Sequence, residues 1–434
     1  MEALPAMVLA VLCSMAVQAG EVPEHDTVIF ARHALLVAGE PVRDNVSLYV
    51  RNGRLVTVEE GRVEAEDPGD DSGVRHIDLS CCFVVPGLID TQTHLQSQLG
   101  LPPTMLRLVT WTDADNALQA YVHGRRTLAA GFTTIRDMGS HGDAMYALRD
   151  AINAGKVPGP RIQVAGEIIM ATGGDLRDWY RPEVEAVFHT GAVCDGADDC
   201  RRAIREQVAL GSDTIKVATK YDLADGSKSQ FTLEELRAMA EAANALGVKI
   251  TASAFSADSI NRPLEAGFDA VVHGTFVDDE SLKLLQRSGA WFIPTLVAAR
   301  TVKEMAENPD LPLSDAWRQE NLAIYHGMVA SFQRVREAGL PIAFGTDAGW
   351  RPHGGNAEQL VQMVELGMKP ADVIATATLN AARAMGWADD VGSLEVGKYA
   401  DLVAVRGSPL NDISELTRPH AVIKGGEPVE RAAP

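Results

Sequence analysis

Apolar and polar positions change rhythm twice along the 434-residue chain. From Thr27 to about Val85, short apolar runs are divided by turn residues: 46–50, then Arg51, then Asn52-Gly53, then 54–56. Asn-Gly between apolar runs predicts a tight hairpin, because both residues tolerate the positive φ that such a turn needs. The segment from Gly392 to about Val429 has the same β texture, with strands predicted at 401–405 and at 422–424 before Gly425-Gly426.

Between these ends, short apolar runs alternate with amphipathic helical stretches. Eight runs stand out: 84–93, 133–136, 162–165, 214–218, 250–254, 270–273, 291–296 and 342–346. Helices are predicted between them, for example over 114–130, 233–246 and 314–338. Such alternation argues for parallel strands with helical crossovers. Eight units predict an α/β fold of the (β/α)₈ TIM barrel type, with a small β-sandwich built from the N- and C-terminal segments. The corresponding division is 86–391 for the barrel and 20–85 with 392–434 for the composite β domain. A doubly wound open sheet is the alternative. That fold expects a glycine-rich phosphate loop after the first strand, and the sequence has none there.

Composition narrows the class. The chain is 46% hydrophobic and 23% charged, as expected of a soluble enzyme. A net charge of -20 argues against nucleic acid or an anionic membrane surface as partner. Residues 1–19 read as a secretory signal: an apolar run over 6–19 too short to span a bilayer, ending Val17-Gln18-Ala19 before Gly20. Glu2 breaks the expected basic start, so the alternative is an untidy N-terminus on a cytosolic protein. The expectation is a periplasmic or secreted protein with no membrane span. Of five cysteines, Cys13 would leave with the signal. Cys194 and Cys200 flank a short polar loop and are expected to pair in an oxidising compartment. Cys81 and Cys82 sit in an apolar strand, where at least one is expected in the core, and no cysteine pair has zinc–thiolate spacing.

In a TIM barrel the chemistry sits at the C-terminal ends of the strands. The first run ends Asp90-Thr91-Gln92-Thr93-His94, and positions two apart on a strand share a face, so Gln92 and His94 point together. The fourth run carries Lys216 between Ile215 and Val217, which is costly unless the lysine is modified, paired or catalytic. The sixth ends at His273 and the eighth at Asp347. Each alone has a plain structural reading: a satisfied core histidine, a helix cap, an ion pair at the rim. Their joint occurrence at four strand ends points instead to zinc or a similar divalent ion. Such an ion acidifies water and polarises a carbonyl, and Asp347 would serve as general base.

These residues carry a resemblance. The chain resembles the metal-dependent amidohydrolase superfamily, nearest its imidazolonepropionase-like and Xaa-Pro dipeptidase (prolidase)-like branch, which includes ochratoxin-hydrolysing amidases. The segments that carry it are 85–90, 130–137, 215–218, 272–275, 345–349 and 392–402. The resemblance implies hydrolysis of amide or peptide bonds at a two-metal centre bridged by a carboxylated lysine, of which this chain is expected to hold one or two ions. Lys216 matches that lysine, His94 the second histidine of the first-strand pair, His273 the sixth-strand histidine, and Asp347 the eighth-strand aspartate. Two ligand positions depart: Gln92 and Ser253 stand where the family has histidines, and Phe255 where it usually has another. The loop after the third strand reads Gly173-Gly174-Asp175 where the family often has Gly-Gly-His-Gly-Asp. Each metal subsite thereby loses a nitrogen ligand.

Two functions follow. One is a hydrolase of dipeptides or N-acyl amino acids with a reduced metal site. The other is a catalytically impaired pseudoenzyme that binds a small ligand in the barrel mouth. A cytosolic ring amidohydrolase is a third, weaker reading. Lys220, Arg177 and Arg351 are candidates to pair a substrate carboxylate, with surface solvation as the alternative. A homo-oligomer is expected from the family alone, since no interface is legible.

Overall fold

The N-terminal strands form on short runs rich in β-branched, aromatic and other apolar residues: β1 (Thr27–Ala34), β2 (Arg43–Arg51), β3 (Arg54–Glu60) and β4 (Arg75–Pro86). This computed structural model describes residues 26–62, 73–98, 107, 110–174, 192–220 and 226–430. The proposed signal, Cys13, Asp175 and Arg177 lie outside the described residues. The Asn52-Gly53 hairpin forms as its sequence predicts: Arg51 pairs with Arg54, and Asn52 and Gly53 have φ of 51° and 78°.

Seven strands then build two parallel sheets. β5 (Leu88–Thr93), β6 (Phe132–Asp137) and β7 (Arg161–Val164) form the first. β8 (Thr214–Ala218), β9 (Lys249–Ala254), β10 (Ala270–His273) and β11 (Trp291–Ile293) form the second. Helices Asp113–Ala129, Leu233–Ala245 and Asp315–Glu337 fall on the predicted stretches. The first two open with capping boxes, Thr112 with Asp115 and Thr232 with Glu235, which satisfy backbone N–H groups that would otherwise lack partners.

Two predictions are corrected. The run at 342–346 makes no strand ladder; it touches its neighbours through single bridges, Phe292–Ile342 and Thr93–Ala348. A third bridge, Ile169–Val217, joins the two sheets on the other side. The run at 84–93 is two strands, because β4 ends at Pro86 and belongs to a different sheet.

That sheet has seven strands from both chain ends, in the order β14-β13-β12-β4-β1-β2-β3, with β12 (Leu402–Val405), β13 (Ala421–Lys424) and β14 (Glu427–Pro428). It has its own core, in which Ile29, Leu48 and Val84 meet Leu394, Leu402 and Ile423. The main core lies between the parallel strands and their helices, where Ile135, Ile215, Val217, Ala252 and Val271 are buried. Because neighbouring side chains on a strand face opposite ways, burying Ile215 and Val217 outward turns Lys216 inward, and burying Ala252 and Ala254 turns Ser253 inward. Cys194 and Cys200 are disulfide-bonded at the start of helix Ala197–Leu210.

Candidate active site

The predicted residues at the strand ends converge into two small networks. In the first, Lys216 Nζ donates to Gln92 Oε1 at 2.9 Å, and Gln92 Nε2 donates to Asp347 Oδ1 at 3.0 Å. Gln92 Nε2 also lies 3.1 Å from His94 Nε2, which is 3.2 Å from Asp347 Oδ1. His94 Nδ1 donates to the Gly139 carbonyl at 3.1 Å, which leaves Nε2 to face the site. In the second network, His273 Nδ1 donates to Thr295 Oγ1 at 2.8 Å, and the Ser253 hydroxyl lies 3.0 Å from His273 Nε2. The Phe255 ring packs 4.8 Å from the His273 ring.

Lys216, Gln92, Asp347, Ser253 and His273 are all buried, so their charges are set by partners. Burial alone would lift the Asp347 carboxyl, but the His94 ring and the Gln92 amide hold it well below the usual carboxylate range. Burial opposes charge on His94, yet the Asp347 carboxylate outweighs it and raises the imidazole pKa. His273 is pushed down to about 3, first by burial and then by the cationic Lys216 and Lys220, and so stays neutral, the form that ligates metal.

Backbone strain marks the same places. Asn45, Asn52, His273 and Asp347 are the non-glycine residues with positive φ among the described residues, at 54°, 51°, 67° and 59°. Asparagine tolerates that conformation; a histidine and an aspartate held there at strand ends are paid for by surrounding structure. Sequence reasoning missed the groups that do the holding. Asp90 is wholly buried and accepts from Thr346 Oγ1 at 2.5 Å and Asn356 Nδ2 at 2.7 Å, tying the first strand to the segment that carries Asp347. Burial lifts its carboxyl to about 6. Gly139, Thr295 and Asn356 come from loops with no motif spacing, and Asp90 was legible only as part of a matched segment.

The donor set fits one divalent ion better than two. Ligand atoms about 2.0–2.1 Å from one ion lie about 3.3 Å apart at tetrahedral angles, which matches the His94–Asp347 separation of 3.2 Å. Among the described residues no further imidazole, thiol or carboxylate lies within 4.8 Å of both ligand atoms of that pair. The other subsite has His273 alone, with its Nε2 engaged by a hydroxyl that is a weak zinc ligand. The carboxylate-binding candidates part ways. Arg351 is engaged by Glu358 at 2.8 Å and Glu304 at 3.4 Å, outside both networks. Lys220 Nζ lies 4.9 Å from the Phe255 ring, on the His273 side.

A TIM-barrel fold with an added β domain, and inward-facing histidine, lysine and aspartate at the strand ends, define the class as a barrel hydrolase scaffold. The chain belongs to the amidohydrolase family, whose pattern it matches over residues 83–429. Members of that family generally use divalent metals, often with a carboxylated lysine. The chain is similar to the ochratoxinase of Aspergillus niger, 30% identical over 326 residues, which cover 69% of this chain and 66% of that enzyme. It therefore spans slightly under two thirds of that relative's length. A solved Xaa-Pro dipeptidase with methionine bound in its active site is 32% identical, with a TM-score of 0.82 and coverage of 93% of this chain and 99% of that one. A putative prolidase from Bifidobacterium longum is 27% identical, with a TM-score of 0.78 and coverage of 94% and 95%.

Proposed function

We propose that this chain hydrolyses amide or peptide bonds of dipeptides or N-acyl amino acids, using one divalent ion, zinc or similar, held by His94 and Asp347. The observation that carries this reading is the pairing of His94 Nε2 with Asp347 Oδ1 at 3.2 Å, with Nδ1 pinned by Gly139. The similarity to a dipeptidase and an ochratoxinase supports the substrate class. The ion would polarise the scissile carbonyl and make a water acidic enough to attack it. Asp347 would hold the proton of that water on the carboxylate oxygen that does not hold the ion, and Lys220 would anchor a substrate carboxylate beside Phe255. Lys216 would act as a carbamate, because an ammonium has no lone pair for metal. Carboxylation would also turn Lys216 from donor to acceptor. Gln92 would then present Nε2 to the carbamate and Oε1 to the ion by a half-turn of its amide. We further take 86–391 as the barrel, 20–85 with 392–434 as the composite β domain, whose described strands join in one seven-stranded sheet and not in the two sheets of the expected sandwich, and residues 1–19 as an export signal. The Cys194–Cys200 disulfide accords with export.

One observation favours the second reading, a pseudoenzyme. The chain of contacts Lys216–Gln92–Asp347 satisfies a buried lysine and a buried carboxylate through a neutral amide, so the site coheres without an ion. Zinc content separates the two: the unmodified protein should exceed His94→Ala by one equivalent. It should also turn over a panel of dipeptides and N-acyl amino acids that Asp347→Asn leaves intact. Equal zinc in both proteins, with dipeptide binding but no turnover in added zinc, manganese or cobalt, would establish the pseudoenzyme instead.

A further inference from the structure

The terminal sheet contains two thiols that the barrel chemistry does not use. β4 pairs with β1 as far as Ala31–Leu79 and resumes at His33–Phe83. Ser80, Cys81 and Cys82 thus stand opposite Arg32 alone, a bulge in β4. On a regular strand consecutive side chains face opposite ways, and a bulge re-aims them. Here the two Sγ atoms and a ring nitrogen of His420 lie within 4.8 Å of one another. β12 pairs with β4 only from Val405–Phe83 toward Leu402–Pro86, so this neighbour ends where the thiols begin. His420 sits just before β13, its backbone N–H donating to the Ala404 carbonyl at 2.7 Å. Cys81 is exposed, Cys82 buried and His420 half-buried.

We propose that Cys81, Cys82 and His420 bind a thiophilic d¹⁰ metal ion, zinc in the first instance, with solvent completing the coordination. Two thiolates and an imidazole are the donors such an ion prefers. Thiolate and imidazole ligands of one zinc ion lie about 3.5–3.8 Å apart, so the ion would draw these atoms inward by about 1 Å or less. Binding forms two sulfur–metal bonds and one nitrogen–metal bond and releases the two thiol protons to solvent. The sequence hides this site because Cys-Cys lacks zinc–thiolate spacing; the bulge and a residue more than three hundred positions away create it. The ion would tie β4 to the C-terminal segment, joining the two ends of the chain within one sheet.

The test uses the full chain, reduced under anaerobic conditions and titrated with cobalt(II) alone. Thiolate-to-cobalt charge transfer reports only on cysteine ligands, so metal at His94 and Asp347 does not contribute to it. The expected result is an intense near-ultraviolet band that saturates at one equivalent and is displaced by zinc. Cys81→Ser, at an exposed position, should abolish the band while circular dichroism stays unchanged. His420→Ala should keep a band but weaken cobalt affinity at least tenfold. No band at stoichiometric cobalt, an unchanged affinity in His420→Ala, or a Cys81–Cys82 disulfide in the protein as isolated would each overturn the proposal.

Discussion

Gln92 differs from an imidazole at the same place in how its donor and acceptor are set: the two ring nitrogens point away from each other, whereas the amide carries Nε2 and Oε1 side by side on one carbon. That is why it can answer the Lys216 ammonium with Oε1 and the Asp347 carboxylate with Nε2. Ser253 does less, offering its hydroxyl to His273 Nε2. The sequence made His94, Lys216, His273 and Asp347 legible, because strand ends and motif spacing mark them. It could not show that Gln92 joins three of them, nor that His273 and Asp347 sit at positive φ, since both depend on which strands meet. The double change Gln92→His and Ser253→His should raise bound zinc by one equivalent over the unmodified protein. The Gly139 and Thr295 contacts already orient the flanking rings. Elemental analysis of the two proteins checks this; equal zinc content would show that the missing nitrogens are not what limits the second subsite.

At the scale of elements, the hinge between the terminal sheet and the barrel is a single glycine. β4 and β5 read as one apolar run because both are buried, and burial erases the alternation that would have separated them. Gly87 makes the change: its N–H donates to the Asp401 carbonyl at 2.8 Å, and a Cβ there would overlap Thr133 Oγ1. The eighth run was equally apolar and still makes no ladder, since its N–H and carbonyl groups go singly to neighbours on either side. Phe344, for instance, accepts from Thr91 and donates to the Thr376 carbonyl. Gly87→Ala should therefore destabilise the protein by about 1–3 kcal/mol, the usual cost of overpacking a filled core. Thr133→Ala removes the colliding oxygen, so the double variant should lose less than the sum of the two single changes. Urea denaturation midpoints test both statements; strict additivity would place the strain elsewhere.

Across the whole molecule, acid should weaken the fold. His123 and His353 are buried, their rings stacked 4.3 Å apart. His123 donates from Nδ1 to the Leu95 carbonyl, and His353 from Nε2 to the Ser97 carbonyl, so the stack braces the chain just after His94. Burial lowers His123 to about 4, aided by Arg126 and Arg107, and lowers His353 to about 3, aided by the neighbouring His123 ring. Their folded pKa values lie below the unfolded value near 6.5, so the stability they confer is complete above pH 6.5 and is lost as pH falls toward 3–4. By pH 5 each has given up about 2 kcal/mol. The carboxyls of Asp90 and Asp137 work the other way. Burial raises both to about 6, so their penalty at neutral pH shrinks as pH falls, returning about 1–1.5 kcal/mol each by pH 5. His141, lowered to about 4, and His273, lowered to about 3, both chiefly by burial, add to the loss. Four histidines therefore outweigh two carboxyls, and the net change from pH 7 to pH 5 should be a destabilisation of a few kcal/mol. Denaturation midpoints measured at both pH values should fall in acid. His353→Asn carries no titrating ring and should show a fall smaller by about 1–2 kcal/mol; an equal fall in both proteins would mean that the stack is not what the acid attacks.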